Sequence, residues 1–377
     1  MKFTISSSAL SSNLQSIGKV ISNKNTLPIL DYFLFELADD KLRITASDLE
    51  TTLYTTIDID NLDEEGSVAI PARRLTETLK EFSEQPLTVE IDKDSWEVTI
   101  SWKTGKLSIP GITGLGYPEQ QAIDPGTSTT VSLTAGLLGE GIGRTIFATA
   151  DDQLRPVMNG INIVLSPEGI TFVATDAHRL VRFTDSEIKT EDTTSFILPS
   201  KPAMLLRNIL PKDDAEKIEV SFDSKNVSFT LPRHKLICRL IEGNYPNYNA
   251  VIPKNNPNKL TIDRNELMSS IKRVAVCSNQ ASGLIKFNLA DGNLNITAQD
   301  LDYSASAEDN LACDYTFDPI EIGFKSPFLL DILSNLNAQD VTLELADATR
   351  PGIFLPAEKA EESQSLLMLL MPMMINV

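Results

Sequence analysis

The chain has 377 residues, of which 42% are hydrophobic and 23% are charged, and its formal net charge at pH 7 is −19. This length and composition predict two or three globular domains and argue against a disordered chain. The acidity by itself argues against a nucleic-acid partner, unless the basic residues are gathered on one surface.

No membrane-spanning or secreted segment is expected. The longest apolar run, 366–375, is interrupted by Pro372 and is about half as long as a membrane-spanning helix. Residues 1–8 lack the apolar core of a secretion signal. Cys238, Cys277 and Cys313 are scattered, with no Cys-x-x-Cys pair, so neither a disulfide framework nor a metal site is expected. We expect a cytoplasmic protein with no membrane partner and no cofactor.

The first repeat predicts two rounds of one pattern, in which a strand and a helix are followed by three strands. Residues 2–6 alternate as a strand does, and apolar residues at 10, 14, 17 and 21 follow at helical spacing. Strands are predicted at 29–37, 42–46 and 51–59. A further strand ends at Ile70, Pro71 begins a second helix that includes Phe82, and strands at 89–91, 96–102 and 106–109 form a meander.

The pattern restarts near residue 130 and again near residue 260. In the second repeat a helix is predicted over 135–148, between a strand at 130–133 and strands at 160–165 and 170–174. Leu198-Pro199 lies 128 residues after Ile70-Pro71 and begins another helix. In the third repeat, Asp291-Gly292 predicts a tight hairpin turn, and Gly323-Phe-Lys replaces the proline corner before the last helix.

Three copies of one strand support the division into repeats: LRITASD at 42–48, ITFVATD at 170–176 and LNITAQD at 294–300. Their aspartates are 128 and 124 residues apart, close to the size of a small domain. We predict an α+β protein of three tandem similar domains, at 1–120, 127–250 and 251–377, each with two helices on antiparallel sheets. The first helices align at i, i+4 and i+7 as Leu10/Leu14/Ile17, Leu138/Ile142/Thr145 and Leu267/Ile271/Val274.

Positive charge is concentrated in the predicted helices, which contain more Lys and Arg than Asp and Glu although the whole chain is acidic. If the helices line one surface and the sheets form the other, a basic surface coexists with an acidic exterior. Such a surface attracts phosphates without reading bases. The alternative is that helix surfaces simply favour Lys and Arg, although acidic residues form helices equally well.

Three segments suggest chemistry, and each has a structural alternative. Gly136, Gly139, Gly141 and Gly143 follow a strand, but they fit neither GxGxxG nor GxxxxGK[ST], and the repeats place them on a helix. Asp176-Ala-His178-Arg179 suits metal ligation or proton transfer, a binding surface, or a capped turn after a strand. The methionine-rich tail, 366–375, is either the last core strand or part of an adaptable peptide groove.

Several segments together resemble the bacterial sliding clamps, the beta subunits of DNA polymerase III. They are Met1-Lys-Phe-Thr4, Thr26-Leu-Pro-Ile-Leu30, Ala174-Thr-Asp-Ala-His-Arg-Leu180, Gly243-Asn-Tyr-Pro-Asn-Tyr248 and Met371-Pro-Met373. The resemblance covers essentially the whole chain. It implies the DNA clamp fold, in which two three-domain protomers join head to tail as a homodimeric ring, with helices around the hole and sheets outside. Such a ring catalyses nothing; it encircles double-stranded DNA of any sequence and tethers the polymerase, which raises processivity.

The resemblance also implies a pocket between the second and third domains for short peptides. The partners would be the DNA polymerase III catalytic subunit, the clamp loader, repair polymerases and other proteins with a clamp-binding peptide. The matching positions are Met158, Thr175, Ala177, His178, Arg179, Leu180, Pro246, Val251, Leu369 and Met371. Ala177 stands where glycine is frequent in the family.

Two further groups of residues are carried over from the family. Lys24, Arg73 and Lys201 match positions that contact DNA, and Arg74, Leu107 and Ile109 of one protomer are expected against Val276 and Cys277 of the next. Two other classes of function remain open from the residues themselves: a repeat-built scaffold that never encircles DNA, and a nuclease or phosphotransfer enzyme using Asp176 and His178.

Overall fold

A computed structural model of the chain describes residues 1–22, 24–119, 123–358 and 363–375. Within these ranges each repeat contains the two predicted rounds of one strand, one helix and three strands. The first repeat consists of β1 (Lys2–Ser6), α1 (Ser7–Ile17), β2 (Tyr32–Ala38), β3 (Lys41–Ser47), β4 (Thr51–Asp58), β5 (Gly66–Pro71), α2 (Ala72–Leu79), β6 (Pro86–Ile91), β7 (Glu97–Trp102) and β8 (Gly105–Pro110), followed by the short β9 (Ile112–Thr113).

The second and third repeats have the same order of elements. The second consists of β10 (Thr129–Thr134), α3 (Ala135–Thr145), β11 (Gly160–Ser166), β12 (Gly169–Thr175), β13 (Arg179–Asp185), β14 (Thr194–Pro199), α4 (Ser200–Ile209), β15 (Lys217–Phe222), β16 (Asn226–Thr230) and β17 (His234–Arg239). The third consists of β18 (Asn258–Asp263), α5 (Arg264–Ala275), β19 (Leu284–Ala290), β20 (Asn293–Asp300), β21 (Ala305–Ala312), β22 (Ile320–Lys325), α6 (Ser326–Asn335), β23 (Asp340–Leu345), β24 (Gly352–Pro356) and β25 (Gln364–Leu370).

Several predicted boundaries are wrong by a few residues. Helix α1 ends at Ile17 and a 3-10 helix, Gly18–Val20, replaces its expected last turn, so Ile21 lies outside it. A 3-10 helix, Pro28–Asp31, takes the start of the strand expected at 29–37, because proline suits the first position of a helical turn. Phe82 lies beyond α2, and its ring packs edge-on to that of Trp102 at 4.9 Å.

The strands form four antiparallel sheets, and two of them join neighbouring repeats. In the nine-stranded sheet, ordered β10-β15-β16-β17-β4-β3-β2-β5-β9, β17 of the second repeat pairs with β4 of the first. In the eight-stranded sheet, ordered β14-β11-β12-β13-β25-β24-β23-β18, β13 of the second repeat pairs with β25 of the third. The four-stranded sheets, β1-β6-β7-β8 and β21-β20-β19-β22, each belong to a single repeat.

These junctions divide the second repeat between two compact units. One unit contains Met1–Gly139 and Lys201–Leu240, and the other contains Glu140–Ser200 and Ile241–Val377. The nine-stranded sheet lies in the first unit and the eight-stranded sheet in the second, because a shared sheet binds each half of the second repeat to a different neighbour. The domain bounds at 120, 127, 250 and 251 therefore stay a prediction.

The apolar stripes of the helices lie in the cores, as the i, i+4, i+7 alignment predicts. Leu10, Leu14 and Ile17 of α1 are buried, and the Ser6 side chain caps this helix by accepting from the Ala9 N–H. Leu267, Ile271 and Val274 of α5 pack in the core of the second unit with α6 residues such as Ile332 and Leu333. Burying each such side chain stabilises the fold by about 1.5–3 kcal/mol.

The apolar stripe of α3 includes a polar residue, Thr145, and a glycine, Gly141, lies beside it. Both residues have a structural reason. Thr145 is fully buried, and its hydroxyl donates to the Gly141 carbonyl at 2.7 Å. A Cβ at Gly141 would lie 2.5 Å from the Phe172 ring, so glycine allows α3 to lie close against β12. The glycine-rich segment is therefore helical, as the repeats predict, and is not a phosphate loop.

Two findings bear on the predicted environment of the chain. Within the described ranges, none of the helices is both long enough and apolar enough to cross a membrane. Cys238 is buried, Cys277 and Cys313 are half-buried, and all three are free thiols. Burial raises the pKa of Cys238 far above that of an ordinary thiol, which makes it unreactive.

Candidate functional site

The turn between β12 and β13, residues 175–179, is held by its own side chains. The Asp176 carboxylate accepts hydrogen bonds from the His178 N–H at 2.9 Å, the Arg179 N–H at 2.9 Å and Arg179 Nε at 3.0 Å. The Thr175 hydroxyl donates to the Arg179 carbonyl at 2.7 Å and accepts from the Ala177 N–H at 3.2 Å. The capped-turn interpretation is confirmed, because both oxygens of Asp176 accept hydrogen bonds from within the turn.

The turn presents two residues to solvent. Ala177 is exposed and has a φ of +74°, a left-handed conformation that costs a non-glycine residue about 1 kcal/mol or more. His178, next in the chain, is also exposed. The turn therefore holds an imidazole at the surface through a strained backbone, which is frequent at binding sites.

An apolar floor lies next to this turn, on one face of the eight-stranded sheet. Leu180 of β13 and Leu369 of β25 are direct cross-strand partners, and together with Val173 they form a small buried cluster. The segment 245–252 packs against this cluster through partly buried side chains, those of Tyr245, Tyr248 and Ile252. Burial raises the pKa of the Tyr245 phenol, so it stays neutral. Pro246 is half-buried on the same segment and Val251 is 51% exposed.

The methionine-rich tail supplies one rim of the site. Met368 is fully buried in β25, whereas Met371 is 39% exposed and donates its N–H to the His178 carbonyl at 2.8 Å. Met373 then donates its N–H to the Gly323 carbonyl, also at 2.8 Å. The tail thus serves both interpretations, as a core strand up to Leu370 and as an exposed rim beyond it.

A second rim contains Phe328, a half-buried residue of α6. Its ring stacks on the His178 imidazole at 5.7 Å with an interplanar angle of 25°. The Arg179 guanidinium lies 4.7 Å from the centre of the same ring, and Lys325 Nζ lies 5.0 Å from it. A signal for this role exists in the helical spacing, because Phe328 lies one position outside the buried stripe of Leu329, Ile332 and Leu333.

Two of the predicted pocket residues do not line it in the expected way. Arg179 is only 8% exposed, so it supports the turn from beneath instead of facing a ligand. Met158 is half-buried at the end of the 3-10 helix Pro156–Met158, and its contact with the site stays a prediction. The other eight, Thr175, Ala177, His178, Leu180, Pro246, Val251, Leu369 and Met371, lie on the turn, the floor or the segments around them.

The predicted DNA contacts all lie in the first unit but differ in availability. Lys24 is exposed on a loop. Arg73 is exposed on α2 and pairs with Glu77 at 2.9 Å, a hydrogen bond that raises the arginine pKa further. Lys201 is half-buried: its Nζ lies 2.6 Å from Asp48 Oδ2 and 2.8 Å from the Val20 carbonyl. Lys201 therefore connects the second repeat to the first, a role the sequence did not indicate.

The residues expected between protomers are not equally accessible. Val276 is 83% exposed just after α5, Arg74 is exposed on α2, and Leu107 and Cys277 are half-buried. Ile109 is fully buried, because strand alternation on β8 points its side chain into the core of its own repeat. The expected side-chain contact of Ile109 with a partner is corrected accordingly; only its backbone lies on the strand edge.

Comparison with known protein families gives matches to three consecutive segments of the chain. Residues 1–121, 132–247 and 249–374 match the N-terminal, central and C-terminal domains of the DNA polymerase III beta subunit. The beta sliding clamp of Pseudomonas putida is 28% identical over 364 residues, covering 96% of this chain and 98% of that protein. That of Staphylococcus aureus is 27% identical and covers 98% of each.

Solved structures of such clamps are also similar. The Pseudomonas aeruginosa sliding clamp bound to griselimycin is 25% identical, with a TM-score of 0.93 and full coverage of both chains. The DNA polymerase III beta subunit of Thermotoga maritima is also 25% identical, with a TM-score of 0.89 and full coverage of both.

Proposed function

This chain belongs to the family of DNA polymerase III beta subunits, and from that premise we propose that it is a sliding clamp. Two protomers form a ring around duplex DNA and tether the DNA polymerase III catalytic subunit to it. The ring performs no catalysis. A closed ring cannot leave the duplex sideways, so the tethered polymerase keeps a high effective concentration at the primer end.

The observation that carries the ring is the rule by which the repeats join. At both junctions within the chain, the last strand of the first round of one repeat pairs with the last strand of the second round of a neighbour: β4 with β17, and β13 with β25. Two strands take part in no such junction within the chain. They are β21, the last strand of the first round in the third repeat, and β8, the last strand of the second round in the first repeat. Each lies at the edge of its four-stranded sheet. Pairing β21 of one protomer with β8 of the next extends the rule head to tail, and a heterologous contact that closes forms a ring.

The two edge strands also suit one another chemically. Lys106 lies on β8 and Lys103 lies just before it. Glu308 is exposed on β21, and Asp302 is exposed just before that strand. An open strand edge presents unpaired backbone groups that another strand can pair with. Opposite charges on the two strands favour their pairing over the pairing of two identical edges.

Basic residues on the helices support duplex binding. The six α-helices of the described chain contain eight Arg and Lys but four Asp and Glu, against a net charge of −19 for the whole. Lys24 and Arg73 are the exposed members of the predicted set. Arg207 is a further exposed cation, on α4. Phosphate contacts of this kind give attraction without sequence preference.

The site around His178 is proposed to bind peptides of the catalytic subunit, the clamp loader and repair polymerases. It combines an apolar floor from two repeats, rims from the third repeat and few polar groups, which suits apolar anchor residues of a short peptide. Because a relative binds griselimycin, we also propose that this compound binds here.

The pocket is tested by alanine substitution in its turn and in its methionine-rich rim. His178→Ala and Met371→Ala should each weaken griselimycin binding about tenfold, because loss of a buried anchor contact typically costs about 1–2 kcal/mol. Isothermal titration calorimetry measures the affinity, and light scattering after gel filtration measures the oligomer, which should be unchanged.

Met374→Ala is the matched control, since Met374 is 82% exposed on the same tail and should leave the affinity unchanged. Equal binding by all three variants, or loss of the oligomer in His178→Ala or Met371→Ala, would contradict the assignment of these residues.

A further inference from the structure

We propose that Asp331, on α6, is a positioning residue of this site. It holds Arg179, and through Arg179 it holds the 175–179 turn with His178 in the position that receives a ligand. The inference rests on the proposed peptide site, although its test also has a readout that needs no ligand.

Arg179 contacts charged and aromatic side chains of both the second and the third repeat. Its Nη1 lies 2.5 Å from Asp331 Oδ2, and its Nε lies 3.0 Å from Asp176 Oδ2. The guanidinium carbon lies 5.3 Å from the centre of the Phe147 ring and 4.7 Å from that of the Phe328 ring. Phe147 and Asp176 belong to the second repeat, whereas Phe328 and Asp331 belong to the third. Arg179 therefore sets the spacing between the turn and α6.

The turn depends on this outside support because it is strained. Ala177 has a φ of +74°, and His178 lies between it and Arg179. Strained backbone persists only where surrounding contacts hold it in place. Since His178 and Arg179 both pack on the Phe328 ring, a shift of the arginine displaces the imidazole as well.

Charge balance singles out Asp331 among these contacts. Arg179 and Lys325 both place a positive charge against Phe328, at 4.7 and 5.0 Å from the ring centre. Like charges repel one another, so the two cations need compensating negative charge. Asp176 holds the turn backbone through Oδ1 and pairs with Arg179 Nε through Oδ2, so Asp331 supplies the second negative charge beside the two cations. Its side chain is 51% exposed while that of Arg179 is 10% exposed, which leaves the buried cation dependent on a partner at the surface.

The test compares Asp331→Asn, which keeps the shape but removes the charge, with Asp331→Glu, which restores it. Asp347→Asn is the matched control: Asp347 is 50% exposed, pairs with Arg350 at 3.4 Å and lies outside the site. The chain has only two histidines, so a ¹³C-histidine NMR spectrum gives one set of imidazole signals for His178 and one for His234. The His178→Ala variant assigns them. Griselimycin affinity is measured on the same proteins.

Asp331→Asn should move the His178 signals, because the ring current of Phe328 acts on a displaced imidazole, and should leave those of His234 in place. It should also weaken griselimycin binding about five- to tenfold, with Asp331→Glu close to wild type and Asp347→Asn unchanged. Unmoved His178 signals in Asp331→Asn, or an equal shift in Asp347→Asn, would overturn the positioning role. If the wild type fails to bind griselimycin while Asp331→Asn still moves His178, the positioning role stands and the ligand assignment fails.

Discussion

Ala177 is the residue at which the backbone strain of the candidate site is located. Its left-handed backbone costs about 1–2 kcal/mol, and glycine removes that cost at an entropic loss of about 0.5–1 kcal/mol. Ala177→Gly should therefore be neutral or stabilising in urea unfolding. Ala250→Gly is the control, because Ala250 is also exposed in the same unit but lies in the 3-10 helix Tyr248–Ala250. It should lower the free energy of unfolding, so that the two variants differ by about 1 kcal/mol. Equal destabilisation by both would contradict the strain.

His234 predicts a pH dependence of stability that belongs to the first unit. It begins β17, and its Nε2 is buried without a hydrogen-bond partner in the described chain. Burial first, and the charge of Arg233 second, lower its pKa below the ordinary value of 6.5. A histidine with a lowered folded-state pKa favours the fold above pH 6.5, and this contribution is lost as the pH falls below that value, because the unfolded chain binds the proton more readily.

The urea midpoint should therefore fall more between pH 7.5 and pH 5.5 in the wild type than in His234→Gln. Parallel curves for His234→Gln and the wild type would show that His234 contributes nothing to the acid sensitivity.

At the scale of elements, the helices predict where DNA contacts concentrate. Arg73→Glu on α2 and Lys24→Glu on the loop before β2 should each weaken binding of a short duplex several-fold and reduce the slope of log affinity against log salt by about 1. Glu77→Gln should act in the opposite sense, because it releases Arg73 from its ion pair. Fluorescence anisotropy at several salt concentrations measures both quantities.

Lys41→Glu makes the same change of charge on the sheet, where Lys41 is exposed on β3. It should leave the salt slope unchanged. An equal loss for Lys41→Glu would show that the net charge matters and the helix surface does not.

The order of elements could be predicted from the sequence because its signals are local. Alternation, helical spacing and the Ile70-Pro71 and Leu198-Pro199 corners mark each round of strand, helix and three strands. The pairing of β17 with β4 and of β13 with β25 could not be predicted, because the sequence of a strand does not indicate a partner more than 175 residues away. Phe328 is likewise far in the chain from His178, so its helical spacing indicates only a core residue until β13 and α6 are placed together.

The roles of single residues could also not be predicted where they depend on distant parts of the fold. The position of Lys201 on a basic helix favours a phosphate contact, and only the fold shows its ion pair with Asp48. Ile109 was expected at a protomer contact, and only the β8 alternation within its sheet shows that its side chain is buried. Asp176 could be predicted, because the capping of a turn is itself local.

For the whole molecule, the central claim is that the chain closes into a ring with a duplex-sized hole. The claim rests on the edge strands β8 and β21, whose pairing between protomers would repeat the junctions already made within the chain. Negative-stain electron microscopy of protein cross-linked well above micromolar concentration tests it most directly. The account predicts annular particles of two protomers, with six domain-sized lobes around an open centre. Compact monomers, or dimers without an opening, would contradict encirclement and favour a repeat-built scaffold.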